Sequence, residues 1–92
     1  MQVRWTSPVA QDLEDIVLYI RRDSVESAKT VAKTLFDSAN SLELFPSRGR
    51  AGRIIGTREL VVPSLPYIIV YEVTDTAIQI HHIYHAARNW PG

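Results

Sequence analysis

The chain has 92 residues, 46% of them hydrophobic and 22% charged, which excludes a disordered protein and predicts one globular domain over residues 1–92. Ten basic and ten acidic side chains give a formal net charge of zero, which argues against a protein that coats nucleic acid. The sequence lacks cysteine, an apolar leader and any apolar run of about 18 residues, so it predicts a soluble cytoplasmic protein without disulfides or a membrane contact.

The N-terminal part of the chain predicts a strand followed by a helix. Residues 2–6, QVRWT, alternate apolar and polar side chains with the two-residue period of a strand. Thr6 or Ser7 can cap a helix whose first position suits Pro8, because proline lacks the N–H that a helix start leaves unpaired. The apolar stripe of this helix is Val9, Leu13, Ile16, Val17 and Ile20.

A second helix follows after a short connection. Asp23 and Glu26 have the spacing of a capping box, and Pro46 ends the helical segment. A connection this short predicts an antiparallel helical hairpin. The second apolar stripe is Ala28, Val31, Ala32, Leu35, Ala39 and Leu42.

The remaining chain predicts a loop and then three strands. Residues 46–58, PSRGRAGRIIGTR, have the glycines and the proline of a loop. The segments RELVV, YIIVYEV and AIQIHHIYH are rich in strand-forming residues, and the turns PSLP and TDT between them favour an antiparallel meander. We therefore predict an α+β fold of order β-α-α-β-β-β, with the helical hairpin packed on a mostly antiparallel sheet.

The basic loop is the first candidate binding site. It contains Arg48, Arg50, Arg53 and Arg58 and no acidic residue, which predicts an exposed surface for an anionic partner. Arg88 is expected to join this surface in space. The alternative is a solvated connection whose composition serves only its turns.

The last segment, HAARNWPG, is the second candidate site. His85 and Arg88 suit an acid–base and phosphate-binding pair, or they form the polar end of the last strand. Trp90 is a candidate partner contact or a lid on the core. His81 and His85 lie roughly 13 Å apart along a strand, so we predict neither a metal site nor a cofactor.

Three tyrosines also have two interpretations. Tyr67, Tyr71 and Tyr84 lie in the predicted strands and can stack on bases or pack in the core, and we favour core packing.

The ordered segments resemble the RelE/ParE family of toxins from bacterial type II toxin–antitoxin modules. The similar segments are WTSPVAQDLEDIVLYI, LELFPSRGRAGRIIGTREL, PYIIVYEV and IQIHHIYHAARNWP, which together span nearly the whole chain. The resemblance implies a cognate antitoxin as partner, in a possible toxin–antitoxin hetero-oligomer. It leaves two targets open, because RelE-type members are ribosome-dependent mRNA endonucleases whereas ParE-type members poison DNA gyrase.

The residues on the strands favour the ParE branch. RelE-type nucleases carry cations on the middle strands, where this chain has Glu59 and Ile68. The resemblance matches Arg88 to a nuclease position and His85 to the histidine that some family nucleases carry near the end of the last strand. We therefore expect a toxin that binds gyrase and has no catalytic residue. The alternatives are a ribosome-dependent mRNA endonuclease that uses His85 and Arg88, and a degenerate toxin that only binds its antitoxin.

Overall fold

Two helices lie against one face of a five-stranded sheet in the computed structural model, which describes residues 1–87. The elements are β1 (Gln2–Trp5), α1 (Ser7–Arg21), α2 (Val25–Asn40), a 3-10 turn (Ser41–Glu43), β2 (Arg50–Ala51), β3 (Arg58–Val61), β4 (Tyr67–Val73) and β5 (Ala77–His85). The α+β class, the helical hairpin and its order in the chain are confirmed. Neither of these helices is long and apolar enough to cross a bilayer.

The starts of the two helices differ in how they are capped. Thr6 precedes α1, but its hydroxyl donates to the Ile80 carbonyl at 2.7 Å and so ties the helix to β5. Ser24 caps α2, and its hydroxyl accepts from the backbone N–H of Ser27 at 3.1 Å. The predicted capping box of Asp23 and Glu26 is therefore wrong, because Asp23 lies one residue before the cap.

The strand order in the sheet is β1-β5-β4-β3-β2. The last three strands form the predicted antiparallel meander, and β1 pairs in parallel with the first half of β5, from Gln2 opposite Ala77 to Trp5 opposite Ile80. The prediction of an uninterrupted loop over residues 46–58 is wrong in one part. The two residues of β2 pair with β3, and this pairing sets Arg50 directly opposite Glu59.

The main core lies between the helices and the sheet. Both predicted helical stripes contribute to it, and the buried residues are Val9, Leu35, Ala39, Leu42, Leu60, Val62, Tyr67, Ile69, Tyr71, Ile78, Ile80 and Ile83. A second, smaller cluster of Ile68, Val70 and Tyr84 is buried on the opposite face. The preference for core packing of the three strand tyrosines is thus confirmed.

A side chain from α1 closes the edge of β5 that β1 leaves uncovered. β1 pairs with β5 only as far as Ile80, so the backbone N–H of Ile83 has no strand partner on that side. The Asp12 carboxylate accepts this N–H at 3.0 Å and lies 3.0 Å from the Nδ1 atom of His82. This contact holds the start of α1 beside the end of β5, where a cleft opens.

Candidate functional site

A buried carboxylate, Glu59, organises the outer face of the sheet. The Glu59 side chain is 1% exposed, and the guanidinium of Arg50 donates to its Oε1 atom at 3.1 Å. The backbone N–H of Arg53 donates to the other carboxylate oxygen at 2.9 Å. The hydroxyl of Tyr84 lies 3.4 Å from Oε1. This set ties the basic loop to the sheet at one carboxylate, and we name these four residues the Glu59 cluster.

The Glu59 cluster keeps its carboxylate charged. Burial alone raises the pKa of Glu59, but the hydrogen bonds from Arg53 and Arg50 and their positive charges outweigh it, so the pKa lies below 4.5. Burial raises the pKa of Tyr84, and the charge of Glu59 adds to that rise. The cluster is therefore an anion compensated by arginines at neutral pH.

Stability at low pH is expected to depend on Glu59. A carboxyl whose folded pKa lies below its unfolded value of 4.5 contributes stability that is fully present above that pH and is lost as the pH falls through the folded pKa. We expect the denaturant midpoint to fall as the pH is lowered from 5 to 3, and to fall less steeply in Glu59→Gln. The exposed Glu14→Gln variant is the control, and equal slopes for all three proteins would contradict the assignment.

The four loop arginines have three separate sets of partners. Arg50 and Arg53 meet at Glu59, as described above. Arg58 donates to the Gly49 carbonyl at 2.8 Å, and Arg48 donates to the Ser41 hydroxyl at 2.9 Å. Arg48, Arg50 and Arg53 are exposed as residues, whereas Arg58 is partly buried. The structure thus gives the loop arginines local partners that the sequence prediction of a solvent-facing basic surface did not include.

A tyrosine hydroxyl anchors the start of the basic loop. Tyr71 is fully buried, and its hydroxyl donates to the Pro46 carbonyl at 2.8 Å while accepting the Gly49 N–H at 2.8 Å. A Cβ atom at Gly49 would lie 2.6 Å from that hydroxyl and 3.0 Å from the Glu59 carbonyl oxygen. Glycine is therefore required here for space, and only a long-range contact of this kind identifies Tyr71 as a loop anchor.

Gly49→Ala is expected to destabilise the fold by about 1–3 kcal/mol, the usual cost of forcing an extra carbon into a packed site. The added methyl must displace the Tyr71 ring or the β3 backbone, since no space separates them. Urea denaturation measures the effect, with Ser47→Ala at an exposed position of the same loop as the control. A change below about 0.5 kcal/mol, typical of surface substitutions, would show that the loop moves aside freely.

His85 lies at the exposed end of β5. Its Nδ1 atom accepts the backbone N–H of Ala87 at 3.1 Å, and its ring meets the Tyr67 ring edge-on with centroids 5.5 Å apart. One ring nitrogen is thus bonded to the backbone, which fixes the histidine as a strand-end residue. Arg88 and Trp90 lie outside the described residues, so their roles stay predictions.

The other two histidines have separate acidic partners. His81 lies 3.2 Å from the Glu72 carboxylate, and His82 contacts Asp12 on α1. Within residues 1–87, no group of three or more histidine, aspartate or glutamate side chains is placed to hold a metal ion. The site geometry therefore consists of a buried, arginine-paired carboxylate on one face of the sheet and a histidine at the end of β5.

Comparison with known proteins covers almost the entire chain. The sequence profile described as "ParE toxin of type II toxin-antitoxin system, parDE" matches residues 3–90. Toxin RelE2 of Caulobacter vibrioides is 40% identical over 87 residues, which are 95% of this chain and 97% of that protein. Y4kP of Sinorhizobium fredii strain NGR234, provisionally named as a toxin, is 36% identical over 90 residues, covering 98% of this chain and 93% of that protein.

A solved structure has the same fold. A chain from the "Chromosomal ParDE TA system from P. aeruginosa" superimposes with a TM-score of 0.83 and 25% identity, over 92% of this chain and 95% of that one. The sequence and structure comparisons thus agree on the family and on the fold.

Proposed function

This chain belongs to the ParE toxin family of type II toxin–antitoxin systems, and from that premise we propose that it arrests growth by binding DNA gyrase, not by cleaving RNA. The observation that carries the proposal is the buried, arginine-paired carboxylate of Glu59 on the sheet face where a nuclease would need free positive charge.

Cleavage by a ribose hydroxyl requires a base, cations around the phosphate and an acid for the leaving oxygen. On β3 and β4, Glu59 and the buried side chains of Ile68 and Val70 share one face, because Glu59 pairs with Val70. The guanidinium of Arg50 is directed at Glu59, so its charge is already compensated. Because the Arg50 charge is engaged with this carboxylate, less positive charge is left on this face to bind a phosphate, which disfavours catalysis there.

His85 is the observation that favours the second candidate, an mRNA endonuclease. The residue is exposed and lies beside a cleft, where a histidine suits acid–base work. However, its Nδ1 atom accepts a backbone N–H, which leaves only Nε2 for chemistry. In-line cleavage needs a base and an acid on opposite sides of the phosphate, so His85 would need a second residue as its partner. The cation on the described strands β3 and β4 is Arg58, whose guanidinium donates to the Gly49 carbonyl.

Two parallel assays separate these functions. Purified toxin is added to DNA gyrase in a supercoiling assay, and the same preparation is added to a translation reaction whose mRNA is mapped by primer extension. Loss of supercoiling with intact mRNA is the expected result. Ribosome-dependent cuts with unaffected gyrase would establish the endonuclease, and inactivity in both assays and in cells, with retained antitoxin binding, would establish a degenerate toxin.

The partner that neutralises the toxin is a cognate antitoxin, and both act in the cytoplasm, where gyrase works. Family membership supports this partner, and so do large apolar side chains that the chain leaves exposed. They cluster in sequence around the basic loop as Leu44, Phe45, Ile54 and Ile55, of which Ile55 is fully exposed. Such side chains indicate a surface that another protein covers.

Arg48 and Arg53 are expected to contribute salt-dependent affinity for an anionic partner surface, on gyrase or on the antitoxin. Arg50 must be kept in this experiment, because its loss would leave Glu59 without its ion pair. The double variant Arg48→Ala, Arg53→Ala should weaken binding about tenfold at low salt and less at high salt. Arg21→Ala, Arg22→Ala removes the same charge from the end of α1. If both double variants bound the partner with equal affinity, the loop would be only a structural connection.

A further inference from the structure

A cleft of about 360 Å³ lies between α1, the start of β4 and the end of β5. Its walls include Asp12, Asp15 and Tyr19 from the helix, Tyr67 from β4, and Ile83 and His85 from β5. This volume suits one side chain and is too small for a folded element. No lysine or arginine of residues 1–87 lines it, so its fixed charge is negative.

Both carboxylates in the cleft retain an unused oxygen. Asp12 uses only Oδ2, which accepts the Ile83 N–H and contacts His82. Asp15 uses only Oδ1, which accepts from the Gln11 amide at 2.9 Å. The remaining oxygen of each accepts no hydrogen bond from residues 1–87. Because positions three apart lie on the same helix face, the two oxygens are available to one ligand.

The hydroxyl of Tyr67 is an independent sign of a missing ligand. Tyr67 is 8% exposed and lines the cleft, yet its hydroxyl makes no hydrogen bond within residues 1–87. Tyr67 and Tyr19 both line the cleft, and burial together with the neighbouring phenol of Tyr19 raises the pKa of Tyr67. A buried hydroxyl without a partner is disfavoured unless something binds to it.

We propose that this cleft binds the guanidinium group of an arginine side chain presented by the cognate antitoxin, and the choice of partner rests on the proposed function. A guanidinium has five donors in a plane and no acceptor, which suits two carboxylates and a phenol oxygen. Tyr19 is 69% exposed at the rim, where its ring face can stack on the guanidinium. A metal ion would need a third ligand that the described residues do not supply.

The first experiment tests the cleft with a small probe. N-acetyl-L-argininamide is titrated into the 15N-labelled full chain, and the amide shifts of Asp15, Tyr19 and Ile83 are followed by NMR. The neutral isostere N-acetyl-L-citrullinamide should leave these signals unchanged. Equal shifts with the citrulline probe, arginine-induced shifts elsewhere in the protein, or stronger shifts with Mg²⁺ would each overturn the proposal.

The second experiment tests the antitoxin. Asp15→Asn should weaken antitoxin binding about tenfold, as expected for one hydrogen bond to a charged group, and Tyr67→Phe should weaken it several-fold. Tyr67→Phe removes an unbonded hydroxyl, so its melting temperature should be retained. Glu14→Gln is the matched control, because it removes one charge from an adjacent exposed position of α1 outside the cleft.

The outcomes test the arginine contact independently of the proposed action on gyrase. Equal antitoxin affinity for Asp15→Asn and Glu14→Gln would overturn the arginine contact, whatever the supercoiling assay gives. Weaker antitoxin binding by Asp15→Asn, together with probe-induced shifts in the cleft, would support the arginine contact even if the toxin left gyrase unaffected. Isothermal titration calorimetry measures the affinities, and circular dichroism checks that each variant is folded.

Discussion

Saturating antitoxin is expected to raise the melting temperature of this domain by on the order of 15–30 °C. A ligand that binds only the folded state adds about 4 kcal/mol when its free concentration is a thousand times Kd. Each kcal/mol shifts the melting temperature of a domain of this size by about 4–8 °C. The effect is large because a 92-residue domain has a small entropy of unfolding, so each kcal/mol shifts its melting temperature further than that of a larger protein.

Differential scanning calorimetry of the toxin, alone and with antitoxin, measures this shift. The matched control is the same concentration of a protein with similar net charge that does not bind the toxin. The shift should grow with the logarithm of free antitoxin concentration, because it arises from mass action. An unchanged melting temperature at saturating antitoxin would contradict the view that the folded toxin presents a preformed surface.

Most of the fold could be predicted from local patterns. The helical stripes, the turns PSLP and TDT and the alternating strands depend on residues that are close in sequence, and each element lies where these patterns indicated. The exceptions depend on pairing between distant residues. β2 has two residues, its pairing sets Arg50 opposite Glu59, and no periodicity can show so short a strand.

The candidate site was less predictable than the fold. The sequence presents Glu59 as a repulsive charge on a strand, whereas the folded loop supplies it with Arg50 and the Arg53 N–H. The capping-box spacing of Asp23 with Glu26 failed for a related reason, since Ser24 offered an equally good cap one residue later. Side-chain partners across the sheet are set by register and loop closure, which one sequence does not reveal.

Asp12 illustrates the same limit. The sequence places it in the N-terminal half of a helix, where a negative charge is favourable in any helix. In the structure it also accepts the Ile83 N–H at the uncovered edge of β5, which is 71 positions away in the chain. The cleft that Asp12 lines depends on this contact, so it could not be predicted before the sheet order was known.

Removal of residues 89–92, NWPG, is expected to reduce toxicity at least as much as His85→Ala does. If the protein were a nuclease, His85→Ala would remove acid–base catalysis worth about 10²–10⁴-fold in rate and would abolish growth arrest. If it binds a protein target, one or two anchor residues carry most of the affinity, and each is worth about 2 kcal/mol or more. Trp90 and Arg88 are the best candidate anchors, although both lie outside the described residues.

The contacts of His85 favour the result expected of a toxin that binds a protein target. Its Nδ1 atom is bonded to Ala87 and its ring packs against Tyr67, so His85→Ala removes packing at a strand end and leaves the Glu59 cluster intact. Colony survival after induction measures toxicity, with expression checked by immunoblot and His81→Ala as the matched histidine control. A folded, non-toxic His85→Ala beside a still lethal truncation would make the end of β5 an active site, and the toxin would then be an endonuclease that uses His85 and Arg88.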